Sequence, residues 1–233
     1  MFFQQIAKQD TGCLTYMVGS QQTKECAVID PLDSQVQHYL AVAKFNGMSI
    51  KYVIDTHTHA DHLSGIRKLA NQANAQLMLS ASSRAEFDHD KLYDKDTIKM
   101  GEVTLKVIAA PGHTMDSIML LVNNELLLSG DTLLVGGCGR ADFPLGISSM
   151  EEEFKTVQRI KALDAAVIVY PAHFGPIHGL DNSKTQTRLR DELRANELLQ
   201  AKTKEEFKEL ALQGLQPVPK KFIDMMKTNL EKF

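Results

Sequence analysis

The 233-residue chain contains only three cysteines, Cys13, Cys26 and Cys138. An odd, widely spaced set argues against a disulfide framework and for a reducing compartment. The chain also lacks an excess of either charge. Its 26 basic and 29 acidic residues leave a net charge of -3, with no block of positive residues, so nucleic acid is not an expected partner. No apolar run approaches the ~20 residues of a membrane span. The opening Met1-Phe2-Phe3-Gln4-Gln5 has neither a basic segment nor a long apolar stretch, so no secretory leader is expected. Internal repeats and low-complexity linkers are absent as well. The default is a cytoplasmic protein without membrane attachment, whose 43% apolar residues suffice for one large core or two small ones.

What is present is a series of short apolar runs, with helices between them and a helical tail. Residues 13–19 and 26–30 read as strands joined by a polar turn. Val36, Leu40 and Ala43 have near-helical spacing, closed by Asn46-Gly47. Residues 50–55 form the next strand, Ser64 caps a helix with Ile66, Leu69 and Ala70, and residues 76–80 form another strand. A charged stretch over 86–96 precedes strands at 103–109, 117–122 and 125–128, with Asn123-Asn124 as a hairpin signal. Ser149 opens a helix with Phe154, Val157 and Ile160 on one face, and residues 167–170 form a last strand. From Ser183 onward the pattern is helical, broken at Gly214 and at residues 217–219.

Chemistry concentrates where strands stop. His57-Thr58-His59-Ala60-Asp61-His62 follows the apolar Tyr52-Val53-Ile54, and three imidazoles with a carboxylate in six residues are first-row metal ligands. In an extended segment residues two apart point the same way, so His57 and His59 are expected to converge on one ion. Asp61 and His62, past the turn, are placed for a second ion nearby, as in two-metal hydrolytic sites. Three more strand ends each carry one ligand type: His113 after residues 107–110, Asp131 after 126–128, and His173 after 168–170. Together they make seven ligands, enough for two adjacent metals bridged by Asp131.

This ordered set, from about residue 10 to His173, resembles the metallo-β-lactamase fold. The resemblance implies an α+β fold, a four-layer αββα sandwich with its metal site at one edge. Residues 1–180 would form the sandwich and 181–233 a helical extension packed on the same domain. It implies His57, His59 and His113 at one metal, Asp61, His62 and His173 at the other, and Asp131 between them.

The segment Gly130-Asp131-Thr132, continuing to Cys138-Gly139-Arg140-Ala141-Asp142-Phe143, is similar to two branches of that family. One is the persulfide dioxygenases, iron enzymes oxidising a thiol persulfide to sulfite. The other is glyoxalase II, a binuclear thioester hydrolase. Ala-Asp-Phe after Arg140, together with Tyr170-Pro171-Ala172-His173, favours the dioxygenases. The Phe174-Gly175-Pro176 that follows, and the Arg194-Ala195-Asn196-Glu197 stretch, depart from them. The expected reaction is therefore persulfide oxidation on one Fe(II) per chain, held by His57, His113 and Asp131. The alternative is a hydrolase with two Zn or Fe/Zn ions, and the non-enzymatic alternative is a metal-binding module. The substrate is a small thiol derivative, and a homo-oligomer is allowed.

Asp61 and Arg140 are the candidate catalytic residues. Arg140 either holds the site and meets a substrate carboxylate or forms an ion pair with Asp142. Cys138 reads as a packed small residue, and His38, His89 and His178 as ordinary surface or supporting residues. Lys184, Arg188, Arg190 and Arg194 read as a solvated helix face, with binding of an anionic thiol carrier as the other option.

Overall fold

The computed structural model describes residues 1–175 and 183–232. Among the described residues, twelve strands form two six-stranded sheets. The first holds β1 (Phe2–Lys8), β2 (Cys13–Gly19), β3 (Glu25–Ile29), β4 (Ser49–Ile54), β5 (Gln76–Ser80) and β6 (Asp90–Leu92), in that order. The second holds β7 (Thr97–Met100), β8 (Val103–Ala109), β9 (Ile118–Val122), β10 (Leu126–Gly130), β11 (Ile168–Pro171) and β12 (Thr187–Arg188) in sequence order across the sheet. Strands β3 to β6 run parallel, which requires crossovers through α1 (Val36–Phe45) and α2 (Ile66–Ala73).

Apolar alternation assigns the faces. In β2, Leu14, Tyr16 and Val18 point into the core between the sheets, while Met17 joins Tyr39, Ile66 and Leu69 under α1 and α2. In β9, Ile118, Leu120 and Val122 face the inter-sheet core. Met119 and Leu121 face outward to α3 (Met150–Ile160), α4 (Leu189–Ala195), α5 (Glu197–Gln200) and α6 (Lys204–Leu212). Both faces of these strands are covered, which is why they read as unbroken apolar runs. The result is the four-layer αββα sandwich expected from the sequence. Each fully buried Leu or Ile contributes about 1.5–3 kcal/mol.

Local signals act as expected at several joints. Asn123 and Asn124 both take positive φ in the β9–β10 hairpin, and the Ser149 side chain accepts from the Glu152 amide at the start of α3. At α2 the N-cap is Gly65 and not the expected Ser64, whose Oγ nevertheless accepts from the Ile66 amide. Four strands have no counterpart in the sequence reading: β1, β6, β7 and β12. β6, β7 and β12 are edge or near-edge strands with exposed Lys91, Lys99 and Arg188, the charged edges that discourage pairing with another chain. The C-terminal segment ends in α7 (Lys220–Leu230), and no helix among the described residues is long and apolar enough to cross a membrane.

Candidate metal centre

The histidines and aspartates of the site sit beyond the ends of strands. Asp30 follows β3, the 57–62 loop follows β4, His113 follows β8, Asp131 follows β10 and His173 follows β11. Glycines let these loops approach each other. Gly130 takes φ +54°, and a Cβ on it would lie 2.6 Å from Thr56 Oγ1. A Cβ on Gly139 would lie 2.6 Å from His113 Nδ1. Asp116 ties two loops together, accepting from Thr58 Oγ1 and from Thr114 Oγ1, each at 2.6 Å.

The first cluster consists of His57, His113 and Asp131. Thr56 Oγ1 donates to Asp30 Oδ2 at 2.9 Å and therefore accepts from His57 Nδ1, also at 2.9 Å. His113 Nδ1 donates to the Arg140 carbonyl at 2.8 Å. Both rings are thus fixed with Nε2 turned to Asp131 Oδ2, at 3.7 Å for His57 and 3.6 Å for His113. Those separations are too long for hydrogen bonds. A cation shared by the three side chains would fit that spacing. Burial first, then nearby imidazoles, holds His57 well below its ordinary value, and burial likewise lowers His113. Both are therefore in the neutral, ligating form.

A second cluster gathers Cys13, Asp61, His62 and His173. His173 Nε2 lies 3.0 Å from Asp61 Oδ2, and His62 Nδ1 lies 3.1 Å from Asp61 Oδ1. Burial opposes charge on His173, but Asp131 and Asp61 outweigh it and raise this imidazole well above its ordinary value. Burial would raise Asp61, and His173 overrides it, keeping the carboxyl well below the usual range. Asp131 is also held below that range, with His173 again prevailing over burial. The sequence placed Asp131 as a bridge between two ions. In the structure its Oδ1 accepts from His173 Nδ1 at 2.6 Å, so the carboxylate reaches the second cluster through that histidine.

His59 departs from its expected place. Residues 55–62 are not strand, and His59 groups with Asp30 and Asp55 and not with His57. Its ring lies 4.2 Å from that of His57, tilted by 59°, and Nε2 faces Asp30 at 3.3 Å and Asp55 at 3.7 Å. These three form a third buried group of potential ligands. The residues present fit a metal on two grounds. The donors are imidazole, carboxylate and thiol, and buried His59 Nδ1 and Nε2, His62 Nε2 and Asp55 Oδ1 find no hydrogen-bond partner among the described residues.

A cavity of about 390 Å³ opens over the first cluster. His57, Asp61, His113, Asp131 and His173 line its floor, and Leu198, Phe207, Leu215, Pro217 and Phe222 form the opposite wall. Arg140 sits on that surface in a two-pronged pair with Asp142, at 2.7 and 2.8 Å, and also donates to the Gln216 carbonyl at 2.8 Å. Cys138 and Glu153 lie at the same wall, and burial pushes both groups well above their ordinary values. Lys184, Arg188, Arg190 and Arg194 are not among its described lining residues, and only the last two lie in α4. His38 lies exposed in α1, and His89 packs its ring 6.0 Å from Phe87. His178 lies outside the described residues.

Sequence reasoning missed Cys13, Asp30, Asp55, Asp116, Glu153 and Asn229. Asp30 and Asp55 carry the same signal as the recognised ligands, an acid at a strand end. Asn229, in α7, donates to the carbonyls of His59 and His62, both at 2.9 Å, and accepts from the Ser64 amide at 3.0 Å. No local pattern announces a contact across that separation.

Comparison with known proteins agrees with this geometry. The profile of the Metallo-beta-lactamase superfamily matches residues 9–173. The mitochondrial persulfide dioxygenase ETHE1 of Bos taurus is 33% identical over 175 residues, 74% of this chain and 67% of that protein. The hydroxyacylglutathione hydrolase of Psychromonas ingrahamii is 31% identical over 161 residues, 68% of this chain and 60% of that protein. The chain thus aligns with about two thirds of these relatives' length or somewhat less. The crystal structure of ETHE1 from Myxococcus xanthus superposes with a TM-score of 0.88 at 28% identity, covering 98% of each chain. By fold, by strand-end ligands and by these matches, the chain belongs to the metallo-beta-lactamase superfamily.

Proposed function

We propose that the protein is an iron-dependent dioxygenase that oxidises a low-molecular-weight thiol persulfide to sulfite. The observation that carries this reading is the makeup of the first cluster. Two imidazoles and one carboxylate, from His57, His113 and Asp131, converge without His59. That is the facial donor set of non-haem Fe(II) oxygenases. One Fe(II) per chain, held there, would supply open coordination positions for oxygen and a persulfide sulfur. The relatives named persulfide dioxygenase support the same reading.

The chain's own residues prepare that chemistry. The Thr56 hydroxyl and the Arg140 carbonyl set the tautomers of His57 and His113. The apolar Leu134, Phe143, Phe207 and Phe222 exclude water from the space where a sulfur would lie. Arg140 lines the cavity and is held by Asp142 and the Gln216 carbonyl, and its remaining charge would meet a substrate carboxylate. Asp61 keeps its negative charge and fixes His173. Residues 181–233 act as an extension packed on the 1–180 sandwich, a division supported by Asn229 on the metal loop and by the tail's share of the cavity. Three unpaired cysteines support a reducing, cytoplasmic setting.

One observation favours a second reading. Asp61, His62 and His173 provide a second donor group beside the first. A catalytic pair of ions, Zn or Fe/Zn, would suit hydrolysis of a glutathione thioester. An oxygen electrode separates the two. Iron-loaded protein should consume oxygen and form sulfite from glutathione or coenzyme A persulfide. No uptake with either persulfide, alongside brisk thioester cleavage, would decide for the hydrolase.

A further inference from the structure

We propose that Cys13 is a thiolate ligand of a second metal site, completed by Asp61, His62 and His173, which takes a thiophilic divalent cation such as zinc. The four side chains come from three places in the chain: the start of β2, the adjacent Asp61 and His62, and His173 just past β11. Their donor atoms nevertheless lie within 4.8 Å of one another. Cys13 Sγ is 3.4 Å from Asp61 Oδ2 and 4.0 Å from His62 Nδ1. An antiparallel bridge between Cys13 and His173 holds the two backbones together. Cys13 is 2% exposed, and the His62 ring beside it carries a buried Nε2 without a hydrogen-bond partner among the described residues.

The other cysteines show what an ordinary buried thiol looks like here. Cys26 packs among Phe2, Met17 and Val28 in an apolar cluster, far from any donor group. Cys13 instead faces a carboxylate and two imidazoles. One sulfur, two nitrogens and one carboxylate oxygen make a tetrahedral zinc complement, and thiolate among the donors selects a softer cation than the first cluster does. His173 is suitably held for this task. Its Nε2 belongs to the cluster while Nδ1 donates to Asp131, the carboxylate–histidine arrangement that orients metal-bound imidazoles. On metal binding the Cys13 thiol gives up its proton to solvent and the Sγ–metal bond replaces its contact with Asp61. The two clusters then differ in kind: one of nitrogen and oxygen, the other containing sulfur. The inference rests on ligation alone and holds whichever reaction the first cluster performs.

The test uses the full-length protein, stripped of metal and reloaded with zinc or cobalt. X-ray absorption of the zinc form, which needs no variant, should show a sulfur neighbour at about 2.3 Å. The cobalt form should show a thiolate-to-cobalt charge-transfer band in the near ultraviolet. Cys13→Ser should abolish that band and weaken the second equivalent of metal, beyond the ~10- to 100-fold that follows loss of a residue merely orienting a ligand. Cys138→Ala should keep the band, since Cys138 lies on the cavity wall apart from this cluster. Nitrogen and oxygen neighbours only, or a band that survives Cys13→Ser, would overturn the assignment. Oxygen uptake is read separately, so protein that shows the sulfur signal but oxidises no persulfide keeps this inference and loses the proposed function.

Discussion

Glu153→Gln should make the protein more stable, by an amount that grows with pH. Glu153 is 1% exposed, and neither carboxyl oxygen has a hydrogen-bond partner among the described residues. Burial, then the charges of Asp131 and Asp142, raises this carboxyl well above its ordinary value of 4.5. Between that value and the folded one, the native state keeps a proton that the unfolded chain has released. Native protein therefore binds more protons than unfolded, and stability falls as pH rises through this window. Below about pH 4.5 the contribution is flat. Each pH unit inside the window costs about 1.4 kcal/mol. Glutamine removes the titration while keeping the size and the unpaired polar atoms, so it isolates this effect. Urea denaturation of both proteins at about pH 5 and about pH 7 should show the variant's advantage widening by up to ~2.7 kcal/mol. The widening should persist with and without chelator, because burial, its largest cause, does not depend on a bound ion. Stability curves that stay parallel over that range would refute the reasoning and mean that Glu153 is ionised or hydrogen-bonded in the native state.

Three further outcomes are expected. His57→Ala or Asp131→Ala should remove metal from the first cluster and abolish activity while circular dichroism still reports a folded sandwich; full metal content by elemental analysis in either variant would disprove their ligation. Asp61→Ala and His173→Ala should leave close to one iron in the first cluster and lower persulfide oxidation by ~10- to 100-fold, as loss of an orienting residue does; loss of that iron would mean the clusters are not separable. Asn229→Ala deletes three hydrogen bonds to the metal loop and its flank, and should destabilise the protein by about 1–3 kcal/mol while raising hydrogen exchange in residues 58–65; unchanged exchange there would show that the loop is held by other contacts.

Much of the layered sandwich was legible because burial on two faces writes long apolar runs, and the punctuation at Asn46-Gly47, Asn123-Asn124 and Ser149 marks their ends. The ligand types were legible for the same reason: His57, His113, Asp131 and His173 each stand where a run stops. Edge strands were not: β6 is three residues long with Asp90 and Lys91 exposed inside the charged stretch, and β7 is only four residues long beside it. The orientation of His59 was lost because the chain leaves extended geometry after Ile54, and periodicity says nothing about a turn's direction. Cys13, Glu153 and Asn229 reach the site only through tertiary packing. Cys13 meets Asp61 from 48 positions away, and Asn229 meets the His59 carbonyl from 170.

The cavity has a divided authorship. Its floor is drawn from side chains up to His173, whereas much of the facing wall comes from Leu198 to Phe222. Reactivity and molecular choice are therefore encoded in separate stretches of the polypeptide. Substitutions in the later stretch can reshape what the chamber admits without replacing a donor side chain, so descendants of this chain are free to exchange one small molecule for another while the ligand set beneath stays as it was.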